Sequence, residues 1–244
     1  MNAMDRFYAR TLETMNELRQ DEWGHVGTVG GWLGEALSKE GWLYVFGTGH
    51  SHLVAEEIFY RAGGLAHAVP MLDPRVMLHE NAIEATYTER ETGFAAQLME
   101  KYPVQAGDVL IVVSNSGRNA VPIEMALLGR EKGMRVAAIL SRRQSDAWPS
   151  RHASGKKLAD VAEVVLDNHG ADGDAWLEMP GLPSKVGSTS SMMGLLLIQL
   201  ILVQACENSL ARGVAPEMYI SSNTNGDDHN EKLLEKYRSR IRHL

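Results

Sequence analysis

The chain of 244 residues has one cysteine, eight prolines and no long uninterrupted apolar run. A single Cys206 excludes an intrachain disulfide. Its apolar neighbours mark it as a small core residue of a protein kept in a reducing compartment. With proline this sparse, no Pro- or Ser-rich linker divides the chain, and no internal repeat is present. The most apolar stretch, Met192–Cys206, is interrupted by Gln199 and Gln204. It falls short of the roughly 20 apolar residues that span a bilayer, so it reads as a fully buried helix rather than a membrane segment. Basic residues number 24 against 31 acidic ones, a net charge of -7. That balance argues against nonspecific nucleic-acid binding, which relies on basic surface. It leaves room for a small anion, because backbone dipoles can hold a phosphate inside a negative protein. Metal ligands are not clustered: there is no HExxH, no CxxC and no compact His/Cys/Asp/Glu set. Gly49 is not followed by x-x-Gly, and no G-x-x-x-x-G-K-[ST] occurs, so neither a dinucleotide nor a P-loop cofactor is expected. The first twenty residues are charged and polar, unlike a signal or transit peptide, and the expected location is cytoplasmic.

What is present is an ordinary globular balance, 44% hydrophobic and 23% charged, enough for one large core. Residues from Asp5 to Lys39 show helical spacing, and Gly27, Gly30, Gly31 and Gly34 predict a break or a very close helix contact in the second half. Short apolar runs follow at Trp42–Phe46, Asp108–Val113, Met134–Leu140 and Glu163–Leu166. Helical stretches lie between them, at Ser51–Arg61 and at Ala120–Lys132, the latter stopped by Gly133. The runs are apolar on both faces, as parallel strands read when helices cover both sides of a sheet. The predicted fold is an α/β doubly wound parallel sheet with helical extensions at both ends. The expected division is an N-terminal helical extension over 1–40, a ligand-binding domain over 41–210, and a turn and helix over 211–244 belonging to the same domain. Ala66–Thr92 gives no clear pattern. The tail from Asp228 to Leu244 reads as a helix with Leu233, Leu234, Tyr237 and Ile241 on one face.

Two turns follow strands and open helices. The first is Gly47-Thr48-Gly49-His50-Ser51, whose glycines let backbone N–H groups approach an anion. The second is Ser114-Asn115-Ser116-Gly117-Arg118-Asn119, a nest of neutral donors suited to a phosphate monoester that must also leave. On parallel strands both turns lie at one edge of the sheet, where doubly wound folds bind ligands. Together, GTGHS at 47–51, SNSGRN at 114–119 and the strand and loop VAAILSRRQSD at 136–146 resemble the sugar isomerase (SIS) domain family over about Gly41–Leu210. The departure is Asn119, which stands where the family pattern has a hydroxyl. This resemblance implies a flavodoxin-like sheet that binds a phosphorylated sugar. It also implies a homodimer or homotetramer with the site shared between subunits. The phosphate-binding positions it implies are Gly47, Thr48, Gly49, His50, Ser51, Ser114, Asn115, Ser116, Gly117 and Asn119. Lys185–Ser191 is a third donor-rich helix start, and Ser188 is its candidate ligand contact.

Aldose–ketose isomerisation moves a proton between adjacent carbons and needs a base. Glu80 and Glu84, four apart, share a face if Leu78–Glu84 is helical, and two carboxylates held together raise one pKa. Both are candidate bases, with Glu80 favoured for its polar neighbours His79 and Asn81. His229, after Asp227 and Asp228, is the candidate acid. His50 is placed in the first turn and His52 on the helix exterior. Arg142, Arg143, Arg151, Lys156 and Lys157 concentrate positive charge after the third of these strands. The expected function is a phosphosugar isomerase working by carboxylate-mediated proton transfer. The alternatives are an amino-sugar-phosphate lyase or etherase, and a non-catalytic sugar-phosphate sensor.

Overall fold

A computed structural model describes residues 1–244. The chain starts with two helices, α1 (Ala3–Asp21) and α2 (Trp23–Leu37), separated at Glu22. Then strands and helices alternate: β1 (Leu43–Gly47), α3 (His52–Glu57), β2 (Ala68–Met71), α4 (Leu78–Thr88), α5 (Phe94–Met99), β3 (Val109–Val113), α6 (Ala120–Glu131) and β4 (Arg135–Leu140). After them come α7 (Arg142–Ala147), α8 (Leu158–Val161), β5 (Val164–Asp167), the hairpin β6 (Ala175–Leu177) and β7 (Val186–Ser188), α9 (Ser190–Ala211) and α10 (Asp227–Tyr237).

The five main strands are all parallel and lie in the order β2-β1-β3-β4-β5. Every residue of β1 and β3 is buried, because helices cover both faces. The two faces carry separate cores. Tyr44, Phe46, Leu110 and Val112 point to one, with α5 and α6. Leu43, Val45, Val109 and Ile111 point to the other, with α2 and α9.

The glycines of α2 do allow a close helix contact. A β-carbon on Gly30 would stand 2.7 Å from Gln204 Cβ, and one on Gly34 would stand 2.9 Å from the Ala205 carbonyl oxygen of α9. Helix α9 itself differs from expectation. It is not fully buried: Met193, Leu197, Ile198 and Ile201 face the core, whereas Val203 and Leu210 are exposed. It is long and apolar enough to cross a bilayer by length and composition, but its inner face is committed to α2 and the sheet.

The strand order reverses between β1 and β3. In a doubly wound sheet that switch point opens a crevice beyond the carboxyl ends of the two strands. Gly47, the last residue of β1, is paired with Val113, the last residue of β3. The turns 48–51 and 114–119 therefore start side by side, about one strand spacing (~5 Å) apart.

Candidate functional site

Each turn is fixed by its own backbone. In the first, a β-carbon on Gly47 would lie 2.4 Å from the Ser51 carbonyl oxygen, so the chain folds back on itself where only glycine fits. Gly49 has φ +57°, the left-handed region that glycine adopts without strain. His52 holds this turn from behind, its Nδ1–H donating to the Gly49 carbonyl. It is buried, not on the helix exterior as expected, because this bond draws the ring inward under the turn. In the second turn the Gly117 N–H donates to the Ser114 carbonyl at 3.0 Å and to Ser114 Oγ at 3.2 Å, with Gly117 at φ +58°. Asn115 is held by Gln144 and by Asn168, whose Nδ2 donates to Asn115 Oδ1 at 2.9 Å. The half-buried Ser51 and Ser116 are left with hydroxyls that bond to no other group of the chain.

A carboxylate joins the two turns. Thr48 Oγ1 donates to Glu89 Oε2 at 2.8 Å, and Asn119 Nδ2 donates to Glu89 Oε1 at 2.7 Å. The Glu89 carbonyl accepts the Val121 N–H at 3.2 Å, which fixes the end of α4 against the first turn of α6. Burial pushes the Glu89 carboxyl above its ordinary value, opposed by the Thr48 hydrogen bond and by Arg90 and Arg151. A raised carboxyl pKa at a switch-point crevice is what a group needs if it must both take up and return a proton. Asn119 spends its amide on Glu89, and its carbonyl accepts from Arg151 Nη1 at 3.0 Å. At this position the amide thus ties the turn to Glu89.

The other candidate residues lie as follows. Glu80 and Glu84 are both exposed, and they do not share a helical face. Asn81 between them has φ -157° and ψ 102°, and its Oδ1 accepts the Ile83 and Glu84 N–H groups, so the regular helix starts after it. The Glu80 carboxylate lies 3.7 Å from His79 Nε2 and makes no hydrogen bond to another side chain. His50 is exposed at the mouth of the first turn. His229 lies in the first turn of α10 with Nε2 2.9 Å from the Met218 carbonyl, its only hydrogen-bond partner. Ser188 is exposed on the β6–β7 hairpin. The helix start after it is capped from elsewhere: Asp174 accepts the Thr189 and Ser190 N–H groups and the Ser190 hydroxyl. No group of three or more metal-ligating side chains is present.

A cavity of about 700 Å³ lies at the opposite edge of the sheet, where Trp42 and His67 precede β1 and β2. Its polar side chains bond one another: His67 to Tyr237, Tyr237 to Glu217, and Lys236 to Glu217. That arrangement fastens the C-terminal helix, and it lies far from both turns.

A family model described as "SIS domain" matches residues 6–141, more than half of the chain and both turns. The chain belongs to the SIS domain family. Its relatives include a UPF0309 protein of Listeria innocua, 39% identical over 232 residues that cover 95% of this chain and 94% of that one. Another is a UPF0309 protein of Halalkalibacterium halodurans, 40% identical over 210 residues, covering 86% and 84% of the two chains. Among solved structures, a phosphoheptose isomerase from Neisseria gonorrhoeae aligns with a TM-score of 0.53 at 18% identity, over 83% of this chain and 96% of that one. A phosphoheptose isomerase from Francisella tularensis aligns with a TM-score of 0.54 at 15% identity, over 85% and 100%. At such identities the likeness concerns the fold, a parallel five-stranded SIS sheet with flanking helices.

Sequence reasoning missed Glu89. It follows α4 and precedes Gly93, and nothing in its local pattern sets it apart from Glu84 or Glu91. Its signal is tertiary: partners 41 residues before it and 30 after it.

Proposed function

We propose that this SIS domain protein is a phosphosugar isomerase whose base is Glu89, acting in the crevice between the two turns. The observation that carries the reading is the Glu89 carboxylate, half-buried, raised in pKa and hydrogen-bonded to both turns at once. The turns supply the phosphate's partners. Ser51 and Ser116 offer free hydroxyls, the second turn offers backbone N–H groups, and α6 directs its positive end at the same edge. Neutral donors hold a dianion without trapping it as a buried cation would.

With the phosphate so held, the sugar's carbonyl and its neighbouring carbon lie over the crevice. Glu89 takes the proton from the carbon next to the carbonyl. The electron pair left behind forms the carbon–carbon double bond of an enediol as the carbonyl oxygen gains a proton from water, and water takes one back from the neighbouring hydroxyl when the enediol collapses. Glu89 then returns its proton to the former carbonyl carbon, and the other oxygen becomes the new carbonyl. No net atom is gained or lost. Thr48 and Asn119 are positioning residues: they fix the carboxylate between the turns and favour its charged form. The resemblance's implication of a shared-site dimer or tetramer goes with this reading, and so does a cytoplasmic setting for a phosphorylated metabolite.

The test is a thermal-shift screen against phosphorylated hexoses, pentoses, heptoses and amino sugars, each beside its free sugar. A ligand at a hundredfold excess over its Kd adds about 2.7 kcal/mol of stability. A shift with a phosphosugar and none with its free sugar supports the reading, and Ser116→Ala should weaken that binding severalfold. No shift across the panel refutes it. Turnover should vanish in Glu89→Gln and persist in Glu80→Gln and Glu84→Gln. The reverse pattern would return the role of base to the exposed pair.

A further inference from the structure

On the β4 side of the second turn is an open cavity of about 390 Å³, lined by Arg118, Gln144, Trp148, Arg151, Asp172 and Gly173. The fold builds it. The Arg151 N–H donates to the Arg118 carbonyl at 2.8 Å, and the Leu158 N–H donates to the Gly117 carbonyl at 2.8 Å. The loop between α7 and α8 is thereby sewn along the turn, and two arginines are set side by side. Their guanidinium groups meet only neutral acceptors. Arg118 Nε donates to the Pro149 carbonyl at 2.9 Å, and Arg151 Nη1 donates to Asn119 Oδ1 at 3.0 Å. Asp172 reaches the same cavity, but its Oδ1 accepts the Trp148 indole N–H at 2.8 Å and it joins neither arginine. Arg118 lies 5.7 Å from the Trp148 ring centre, so one wall is aromatic.

The cations are crowded. Burial, then Arg118 and Arg90, hold the Arg151 guanidinium below its ordinary value, against the opposing pull of the Glu89 carboxylate. Two adjacent guanidiniums in salt-bridge contact with no carboxylate present planar, paired donors, the arrangement that takes a carboxylate or phosphate on two bonds at once. The cavity is also wired to the crevice. Arg151 holds Asn119, Asn119 holds Glu89, and Glu89 holds Thr48. One side chain, Asn119, separates the cavity from the carboxylate.

We infer that the Arg118–Arg151 cavity is a subsite for a second acidic group of the substrate, so that the substrate class is a phosphosugar that also bears a carboxylate or a second phosphate. This inference rests on the phosphosugar reading above, and it makes the arginine pair a specificity device. The neutral donors of the turns hold the ester common to all phosphosugars, and the cations select those with an acid at the other end.

Two measurements test it. In the first, wild type, Arg118→Gln and Arg118→Lys are titrated with matched ligands: glucose 6-phosphate against 6-phosphogluconate, and fructose 6-phosphate against fructose 1,6-bisphosphate. The wild type should bind the acidic member of each pair at least tenfold more tightly. Arg118→Gln should lose that preference while keeping its affinity for the monophosphates, and Arg118→Lys should recover part of it. Equal preference in wild type and Arg118→Gln overturns the inference while the phosphosugar reading stands. Failure of every phosphate ester to bind removes the phosphosugar reading, and the substrate assignment falls with it. The second measurement uses no sugar. Pyrophosphate should produce a saturable change in tryptophan fluorescence that is lost in both Trp148→Phe and Arg118→Gln. No such change refutes the cavity as an anion site. A change with pyrophosphate but no preference for acidic phosphosugars makes it a site for a free anion and overturns the substrate assignment.

Discussion

Replacing Gly47 and Gly49 separately with alanine probes the first turn at two residues whose glycines serve different ends. At Gly47 a β-carbon would stand 2.4 Å from the Ser51 carbonyl oxygen, 2.5 Å from its carbon and 2.9 Å from the His52 nitrogen. All three obstacles are backbone, so no rotamer change relieves the overlap. Overpacking of this kind costs about 1–3 kcal/mol, and a backbone obstacle argues for the upper part of that range. The alanine also restricts the unfolded chain, which returns about 0.4–1 kcal/mol. The net loss is therefore about 2 kcal/mol, or roughly 4–8 °C in Tm for a domain of this size. At Gly49 nothing lies within 4 Å of the added carbon, and the only penalty is the left-handed φ of +57°. That strain costs about 1–2 kcal/mol before the same unfolded-chain correction, leaving about 1 kcal/mol and roughly 2–4 °C. Thermal denaturation of both variants gives the comparison directly. The same samples, mixed with the most stabilising phosphosugar, should show its shift retained in Gly49→Ala. The shift should be diminished in Gly47→Ala, because Ser51 moves with the displaced turn. A Gly47→Ala protein as stable as wild type, or less perturbed than Gly49→Ala, would refute the close approach as the reason for glycine here.

Burial raises the folded-state pKa of Glu89 above the ordinary glutamate value of about 4.3. Between these two values the folded protein holds a proton that the unfolded chain has released, so wild-type stability falls as pH rises through that window. Glu89→Gln has no such term. Its amide can donate to the Thr48 oxygen while its carbonyl accepts from Asn119, so its Tm relative to wild type should climb from pH 4 to pH 8. A difference that is flat or falls with pH would contradict the raised pKa. In α2, Gly34→Ala places a carbon 2.6 Å from Asn208 Cβ and 2.9 Å from the Ala205 carbonyl oxygen, whereas Gly27→Ala meets nothing within 4 Å. Denaturant titration should show Gly34→Ala less stable by about 1 kcal/mol, after the helix-propensity gain is offset, and Gly27→Ala more stable by about 0.5–1 kcal/mol.

Much of the fold was legible because its signals are local. β1, β3 and β4 are buried on both faces and read as continuous apolar runs. The turns that end β1 and β3 carry glycines whose need is set by their immediate neighbours. β2 was hidden in the unpatterned stretch Ala66–Thr92 because Pro70 weakens its signal, and proline is tolerated there because β2 is an edge strand. The face shared by Glu80 and Glu84 assumed an unbroken helix, which the extended backbone of Asn81 interrupts. The outward side of α9 was illegible for a different reason: apolar residues all round a helix give no sign of which face the sheet takes. Glu89 lay beyond local reasoning, since its environment is made by Thr48 and Asn119, residues that only the switch in strand order brings together.

The central claim is that Glu89 moves a proton on a bound phosphosugar, and hydrogen exchange with solvent tests it most directly. The phosphosugar that stabilises the protein most would be incubated in D2O with wild type and with Glu89→Gln, and its carbon-bound hydrogens followed by NMR. Wild type should replace the hydrogen next to the carbonyl with deuterium. Glu89→Gln should bind the same compound, seen as a thermal shift, and leave that hydrogen in place. Exchange at the wild-type rate in Glu89→Gln would contradict the account, because the proton would then be moving through another group.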